Sequence, residues 1–343
     1  MKNKIKIAIG SQATSGPWGG GSAFVRSLSN GLLKAGHSVV YDLKSNDIDI
    51  ILLTDPRRIK NITFGPGCAY RYLLFNNPNA IVVHRINECD ERKNTYFINR
   101  LLKRANYIAD HTVFISEWLK TLPLWHNIKD FSIIRNGADS NLFFPSNNIS
   151  WNKEKPLKLV THHWSNNSMK GFDIYLLIDK IIGTKEWRDK IRFTYIGNVP
   201  RGLSMRNSDI IPPLSGKELR DKLSEMDVYV TGSINEPAGM HHIEGALCGL
   251  PLLYRTSGAL PEYCHRFGVP FLSKDNFCES LDKMMKNYDQ YKKEMKLYKN
   301  TASNMNISYI TLFRTLVTNR TKLIKKRADK NNLYLKLLNV ISF

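Results

Sequence analysis

The chain has 343 residues, 42% of them apolar, and carries 50 Lys and Arg against 30 Asp and Glu, a formal net charge of +20. That length exceeds one ordinary hydrophobic core and predicts two domains, while the charge points to anionic partners: nucleic acid, acidic lipid or a phosphorylated small molecule. Five scattered cysteines without a C-x-x-C pair argue against a disulfide framework and a zinc site, and no run of 18 apolar residues exists to cross a membrane.

In chain order, MKNKIKIAIG has an apolar run too short for a signal sequence and predicts a first strand over 4–10. The loop SQATSGPWGGGSAF (11–24) follows, then a helix from Phe24 to Ala35. Gly16, Gly19, Gly20 and Gly21 let backbone N–H groups approach an anion at the helix start, although such a turn also serves as a tight strand-to-helix connection. The spacing is neither G-x-G-x-x-G nor a P-loop, which disfavours a nicotinamide enzyme and a P-loop NTPase. HSVVYDL, DIDIILL, IVVHRI (81–86) and YIADHTVFIS (107–116) continue the strand–helix alternation of a parallel sheet covered by helices.

The polar stretch 135–156, rich in Asn, Ser and Pro, reads as a linker, and beyond it the alternation restarts. LKLVTHH (157–163), a helix from about Phe172, IRFTYIG (191–197), a helix over Lys217–Met226, DVYVTGS (227–233), a helix from Met240 and PLLYRT (251–256) form a second α/β set. The expected domains are therefore 1–150 and 151–316, with a basic C-terminal helix or tail over 317–343 crossing back to the first. In such folds the ligand lies beyond the carboxyl ends of the strands, so the site is expected in a cleft between two doubly wound, Rossmann-like domains.

Two loops carry charge where a phosphate would account for it. Lys170 and Gly171 stand at a helix start, where a cation is unfavourable unless an anion lies close; a solvated lysine is the plain alternative. Glu236 lies in the loop after DVYVTGS and Glu244 one helical turn inside the following helix, with the N–H groups near Ala238–His241 between them. Both carboxylates can instead simply satisfy a helix dipole. His241 and His242 are adjacent and diverge on a helix, without an H-E-x-x-H pattern, which disfavours catalytic zinc.

The segment EPAGMHHIEGALCGLP (236–251) with SGALPE (257–262) resembles the E-x7-E region of the GT-B retaining glycosyltransferases of family 4 type, whose pattern is E-G-F-G-x-x-x-L-E-A-x-A-x-G-x-P followed by G-G-x-P-E. GGGSAFVRSLSNGLLKAGHSVV, ADHTVFISEWLK, IIRNGADSNLFFP and MKGFD resemble further family segments in the same order, covering about 5–316. The resemblance implies a GT-B fold and transfer of a sugar, with retention, from a nucleotide-diphosphate sugar to a hydroxyl of a glycan, glycolipid or other conjugate. It implies that Glu244 holds the ribose, that Lys170 holds the diphosphate, and that Ala238, Gly239 and Met240 meet the phosphates and donor sugar through N–H groups. Glu236 then faces the donor sugar, and Ser257 and Gly258 line the pocket.

The family's donor-contacting His falls at Asn87, counting to the strand end, or at His84. The family's diphosphate Arg is replaced by Ser165, with Arg85, Arg201 and Arg255 as possible substitutes. No cofactor and no metal are implied beyond the nucleotide-sugar co-substrate. A catalytically silent sugar-nucleotide binding module and a sugar-nucleotide epimerase stay open as alternatives. Nucleic acid is suggested by charge alone. The expected location is cytoplasmic; the basic-then-apolar tail 318–343 either packs on the protein or rests on anionic membrane near a lipid-linked acceptor.

Overall fold

The computed structural model describes residues 4–14, 19–127, 129–145 and 150–328. They form two compact units, one comprising the described residues up to Thr14, Gly20–Arg135 and those from Ala302 on, the other Gly19 and the described residues of Asn136–Thr301. Among the described residues each unit holds one six-stranded sheet, parallel throughout.

The first unit runs β1 (Lys6–Ile9), α1 (Gly20–Lys34), β2 (Ser38–Val40), β3 (Ile50–Leu53), α2 (Pro66–Phe75), β4 (Ile81–Ile86), α3 (Asp90–Lys93), α4 (Ile98–Asn106), β5 (His111–Phe114), α5 (Glu117–Lys120) and β6 (Phe131–Ile133), in the sheet order β2-β1-β3-β4-β5-β6. The second runs β7 (Leu157–His163), a 3-10 turn (Ser168–Lys170), α6 (Phe172–Ile182), β8 (Ile191–Gly197), β9 (Asp209–Ile211), α7 (Gly216–Ser224), β10 (Val228–Thr231), α8 (Met240–Leu247), β11 (Leu252–Arg255), α9 (Leu260–Cys264), β12 (Gly268–Phe271), α10 (Phe277–Lys286) and α11 (Tyr288–Glu294), in the order β12-β11-β10-β7-β8-β9. Two helices, α12 (Ala302–Thr318) and α13 (Arg320–Ala328), close the described chain.

Central strands read as continuous apolar runs because both faces of each sheet are covered. In the first unit the period of two is visible in the packing. Ile7, Ile50, Ile81 and Val83 face α1 and α12, whereas Ala8, Ile51 and Val82 face α2 through Ala69 and Tyr72. In the second, Leu159, Phe193, Val230 and Leu253 meet α6 and α10 through Tyr175, Ile178 and Leu281.

Several boundaries differ from the sequence expectation. The last two glycines of the first loop already belong to α1, and HSVVYDL contributes only the three half-buried residues of an edge strand. The expected linker is no free tether: Asn136, Phe143 and Trp151 are buried, and Ala138 bridges Thr301 within the second unit. The return to the first unit starts at Ala302, so the expected boundary at 316 falls inside α12.

The basic stretch of α13 has carboxylate partners on the first unit. Arg320 pairs with Asp49 at 2.6 Å, Lys326 with Asp130 at 3.0 Å, and Arg327 grips Asp110 through two nitrogens while donating to the carbonyls of Pro78 and Ala80. Asp49, Asp110 and Asp130 each directly precede a strand, so α13 runs along the amino edge of the sheet. These contacts pair three of the five basic residues over 320–327, Arg320, Lys326 and Arg327, within the chain; residues 329–343, the remainder of the expected tail, lie outside the described residues.

Candidate active site

In the second sheet β7 and β10 are neighbours, and the winding reverses between them: β8 and β9 lie on one side, β11 and β12 on the other. A crevice opens at such a reversal because the two connections leave in opposite directions, and ligands of open parallel sheets bind there, beyond the carboxyl ends. Lys170 follows β7; Glu236 and α8 follow β10. The residues that the sequence singles out on this unit therefore meet at the point that the topology favours.

Backbone contacts lock the two loops together. Gly171 has φ +90°, and an added Cβ would stand 2.1 Å from the carbonyl oxygen of Gly232, so the Lys170 turn lies directly against the end of β10. The Ile234 N–H donates to Met169 O at 2.9 Å. A third loop joins: Asn235 N–H donates to Ser257 Oγ at 2.8 Å, Ala259 N–H donates to Glu236 O at 2.8 Å, and a Cβ on Gly258 would lie 2.5 Å from Glu236 N. Ser257 thus holds Asn235 through its hydroxyl, and Gly258 lies against the Glu236 backbone.

Lys170 Nζ lies 3.8 Å from Glu236 Oε2, and the carboxylate side chain is only 3% exposed. Ala238, at φ +145°, occupies backbone space that L-residues rarely adopt. It is held there by Asn136, whose amide donates to Ala238 O at 2.8 Å while its backbone N–H donates to the Tyr263 hydroxyl. From this turn α8 starts at Met240, with Gly239 as a cap that makes no side-chain hydrogen bond and no acidic residue in the first turn. The positive end of the helix dipole has no capping side chain from Gly239 and lies beside the Glu236 carboxylate, whose Oε1 would stand 3.0 Å from a Cβ on Gly239.

One turn along, Glu244 Oε2 lies 2.8 Å from His162 Nε2. The two histidines at the helix start point elsewhere: His241 Nε2 contacts Thr231 Oγ1 at 3.1 Å, and His242 packs edge-on against Tyr263. Burial, partly offset by the Glu236 carboxylate, pushes His242 down to about 4, and burial also holds His241 well below the ordinary imidazole range. Both are neutral at pH 7, so the loop carries no imidazolium charge toward Lys170.

The substitutes for the family arginine are accounted for individually. Ser165 is exposed and its hydroxyl accepts from Asn167 N–H. Arg255 is tied to Asp173 in the first turn of α6, and Arg201 stands exposed in a turn. Arg85, in the first unit, is buried over the Phe24 ring at 3.7 Å. Two of the three candidates are therefore already engaged.

Gly21 lies in the first turn of α1 and Gly19 directly precedes that helix, and an added Cβ at either meets nothing within 4 Å. Local packing does not require them. Gly16 lies outside the described residues. His84 sits inside β4, fully buried, 3.4 Å from Asn106 Nδ2, with burial pushing it down to about 3. Asn87, directly after the strand, is the half-buried residue that the carboxyl edge presents, so of the two candidates it is Asn87 that a ligand can reach. Sequence reading missed His162 and Asn136. His162 stood in the quoted strand LKLVTHH and Asn136 in the quoted Asn-Gly turn, but neither segment says which loop the side chain would touch.

Two six-stranded parallel α/β units, each wound in the Rossmann manner, define the GT-B fold of the glycosyltransferases. Solved structures similar to this chain include a glycosyltransferase from Rickettsia africae ESF-5 (14% identity, TM-score 0.65, 92% of this chain and 100% of that one) and sucrose-phosphate synthase from Thermosynechococcus elongatus (14%, 0.64, 92% and 99%). HepE from Anabaena, solved with UDP and glucose, is similar over 95% of this chain and 99% of its own, at 13% identity and a TM-score of 0.60. At these identities the likeness establishes the fold. No protein-family model matches the chain, and no curated protein matches it by sequence.

Proposed function

We propose that this protein is a retaining glycosyltransferase that moves a sugar from a nucleoside-diphosphate sugar to an acceptor hydroxyl without a metal ion. The observation that carries the reading is the meeting of Lys170, Glu236 and the uncapped start of α8 at the winding reversal of the second sheet, with Glu244 one turn farther along. The fold shared with glycosyltransferases supports it, as does HepE, which was solved with UDP-glucose.

In this reading the diphosphate lies at the amino end of α8, where the N–H groups of Ala238, Gly239 and Met240 and the Lys170 ammonium balance the charge that grows on the leaving group. One such fixed donor contributes about 3 kcal/mol to the barrier. Lys170 then exchanges Glu236 for phosphate oxygens, which frees the Glu236 carboxylate to accept hydrogen bonds from the donor sugar. Glu244 binds the ribose. Among the described residues no side chain stands out as a nucleophile, and a front-face transfer suits the site. The acceptor is a glycan or lipid-linked hydroxyl, and the protein works in the cytoplasm or at an anionic membrane surface.

The direct test supplies radiolabelled UDP-, GDP- and ADP-sugars with and without glycan acceptors, in EDTA, and reads the product anomer by NMR. Transfer with retention supports the reading. Nucleotide binding without turnover favours a silent binding module, for which the serine in place of the family arginine speaks, and epimerised donor favours an epimerase.

A further inference from the structure

Resting on the donor-site reading above, we infer that His162 is a positioning residue: held by Tyr229, it fixes the Glu244 carboxylate so that this site distinguishes a ribose from a 2′-deoxyribose. The three residues come from β7, β10 and α8 of one unit, and none belongs to a sequence motif that names the trio.

Glu244 as a carboxylate can only accept, so the 2.8 Å contact to His162 Nε2 is a donation from that nitrogen. On the other side of the ring the Tyr229 hydroxyl lies 3.1 Å from His162 Nδ1 and 3.4 Å from the His162 carbonyl oxygen. The same hydroxyl accepts from the His162 backbone N–H at 3.0 Å, so both its donor and acceptor capacities are used on one residue. Tyr229 is fully buried, and burial raises its pKa well above the ordinary phenol value, which keeps the hydroxyl proton in place. An imidazole held at both ring nitrogens, on a residue whose backbone N–H is also bonded to Tyr229, is kept against the carboxylate. The bond occupies Oε2 of a side chain that remains 16% exposed, which leaves Oε1 to face a ligand hydroxyl.

A second feature supports the arrangement from below. Gly245 follows Glu244 where the glycosyltransferase pattern has alanine. An alanine Cβ there would stand 2.3 Å from Tyr229 Cδ2 and 2.6 Å from Cγ. The missing methyl group is the space in which the tyrosine ring lies flat against α8, and that seat carries its hydroxyl to His162. Glycine at 245, tyrosine at 229 and histidine at 162 therefore form one device whose outward end is the Glu244 carboxylate.

A residue that only held the fold would change stability and leave ligand discrimination alone, so the test reads discrimination. Isothermal titration of the full chain compares UDP, GDP and ADP with their 2′-deoxy counterparts, for the unaltered protein and for His162→Leu, His162→Gln and Tyr229→Phe. The unaltered protein is expected to prefer one ribonucleotide over its deoxy form by about tenfold or more, the scale of a hydrogen bond to a charged group. His162→Leu should bring that ratio close to one while changing affinity for the deoxy form about twofold at most. His162→Gln, whose amide can still donate to Glu244, should recover most of the ratio. A folded His162→Leu protein that keeps the unaltered ratio overturns the inference; if that variant does not fold, an unchanged ratio in Tyr229→Phe does so. Binding without ribose preference in the unaltered protein also overturns it, leaving the donor site standing. Failure of the unaltered protein to bind any of the three diphosphates overturns the donor-site reading itself.

Discussion

Gly258→Ala tests whether the loop after β11 holds Glu236 in place. Gly258 has φ +61°, and a Cβ built there would stand 2.5 Å from Glu236 N, 2.6 Å from Glu236 O and 2.8 Å from Asn235 C. All three are backbone atoms, so no side chain can rotate away to relieve the clash. The left-handed conformation costs an alanine about 1 kcal/mol. Separating the loops weakens the 2.8 Å bond from Ala259 N–H to Glu236 O, about another 1 kcal/mol, and the residual strain is of similar size. The sum, about 3 kcal/mol, should lower the melting transition of the second unit by about 9 °C for a domain of this size. Gly216→Ala is the matched control. Its φ of +58° carries the same conformational cost, but a Cβ there meets nothing within 4 Å. Calorimetry on both variants separates close approach from backbone conformation, and equal losses would refute the claim that contact between the two loops matters.

Three further outcomes follow from the same structure. Lys170→Ala should weaken binding of the preferred nucleoside diphosphate about 10- to 100-fold by titration calorimetry, the value of a charged hydrogen bond to phosphate, and an unchanged affinity would place the diphosphate elsewhere. His242, depressed to about 4 when folded and near 6.5 when unfolded, makes the unfolded chain the stronger proton binder between those values. Stability should therefore fall as pH drops from about 6.5 to about 4, by on the order of 3 kcal/mol from this group, and denaturant titrations of His242→Phe should show a shallower slope over that window. Arg327→Ala strands the buried Asp110 carboxylate and should cost about 3 kcal/mol, with Arg327→Lys unable to restore it because an ammonium lacks the planar two-point grip; full stability of either variant in a thermal melt would contradict the clamp.

What the sequence disclosed follows from the range over which its signals act. Runs such as DVYVTGS and LKLVTHH announce strands buried on both faces because covering helices demand continuous apolar character, and the return of that rhythm after 156 marks a second sheet. Lys170, Glu236 and Glu244 were legible because each sits a fixed number of residues from such a strand, and strand ends are where an open parallel sheet presents its loops. Strand length was less legible: YIADHTVFIS predicts more strand than the four residues of β5, since pairing partners rather than propensity decide where a ladder stops. Edge strands β6 and β9 were missed for the same reason, being short and in part exposed.

What stayed hidden depends on contacts between segments far apart in the chain. Stretch 135–156 has the composition of a tether, yet Asn136 reaches 102 residues along the chain to hold Ala238 at a backbone angle it would not adopt alone. His84 and Asn87 differ by three positions, and only the fold shows that one is sealed in the sheet while the other stands just past its strand. Basic residues near the C-terminus read equally well as membrane-seeking or intrachain, and only the fold gives three of them, Arg320, Lys326 and Arg327, their partners Asp49, Asp130 and Asp110 along one sheet edge. Charge in a sequence gives the sign of a partner and not its address; here carboxylates drawn from three strand starts supply the address for α13. The proposed site is the converse case, in which Lys170 and the amino end of α8 come from separate loops and the phosphorylated partner proposed for them comes from outside the chain.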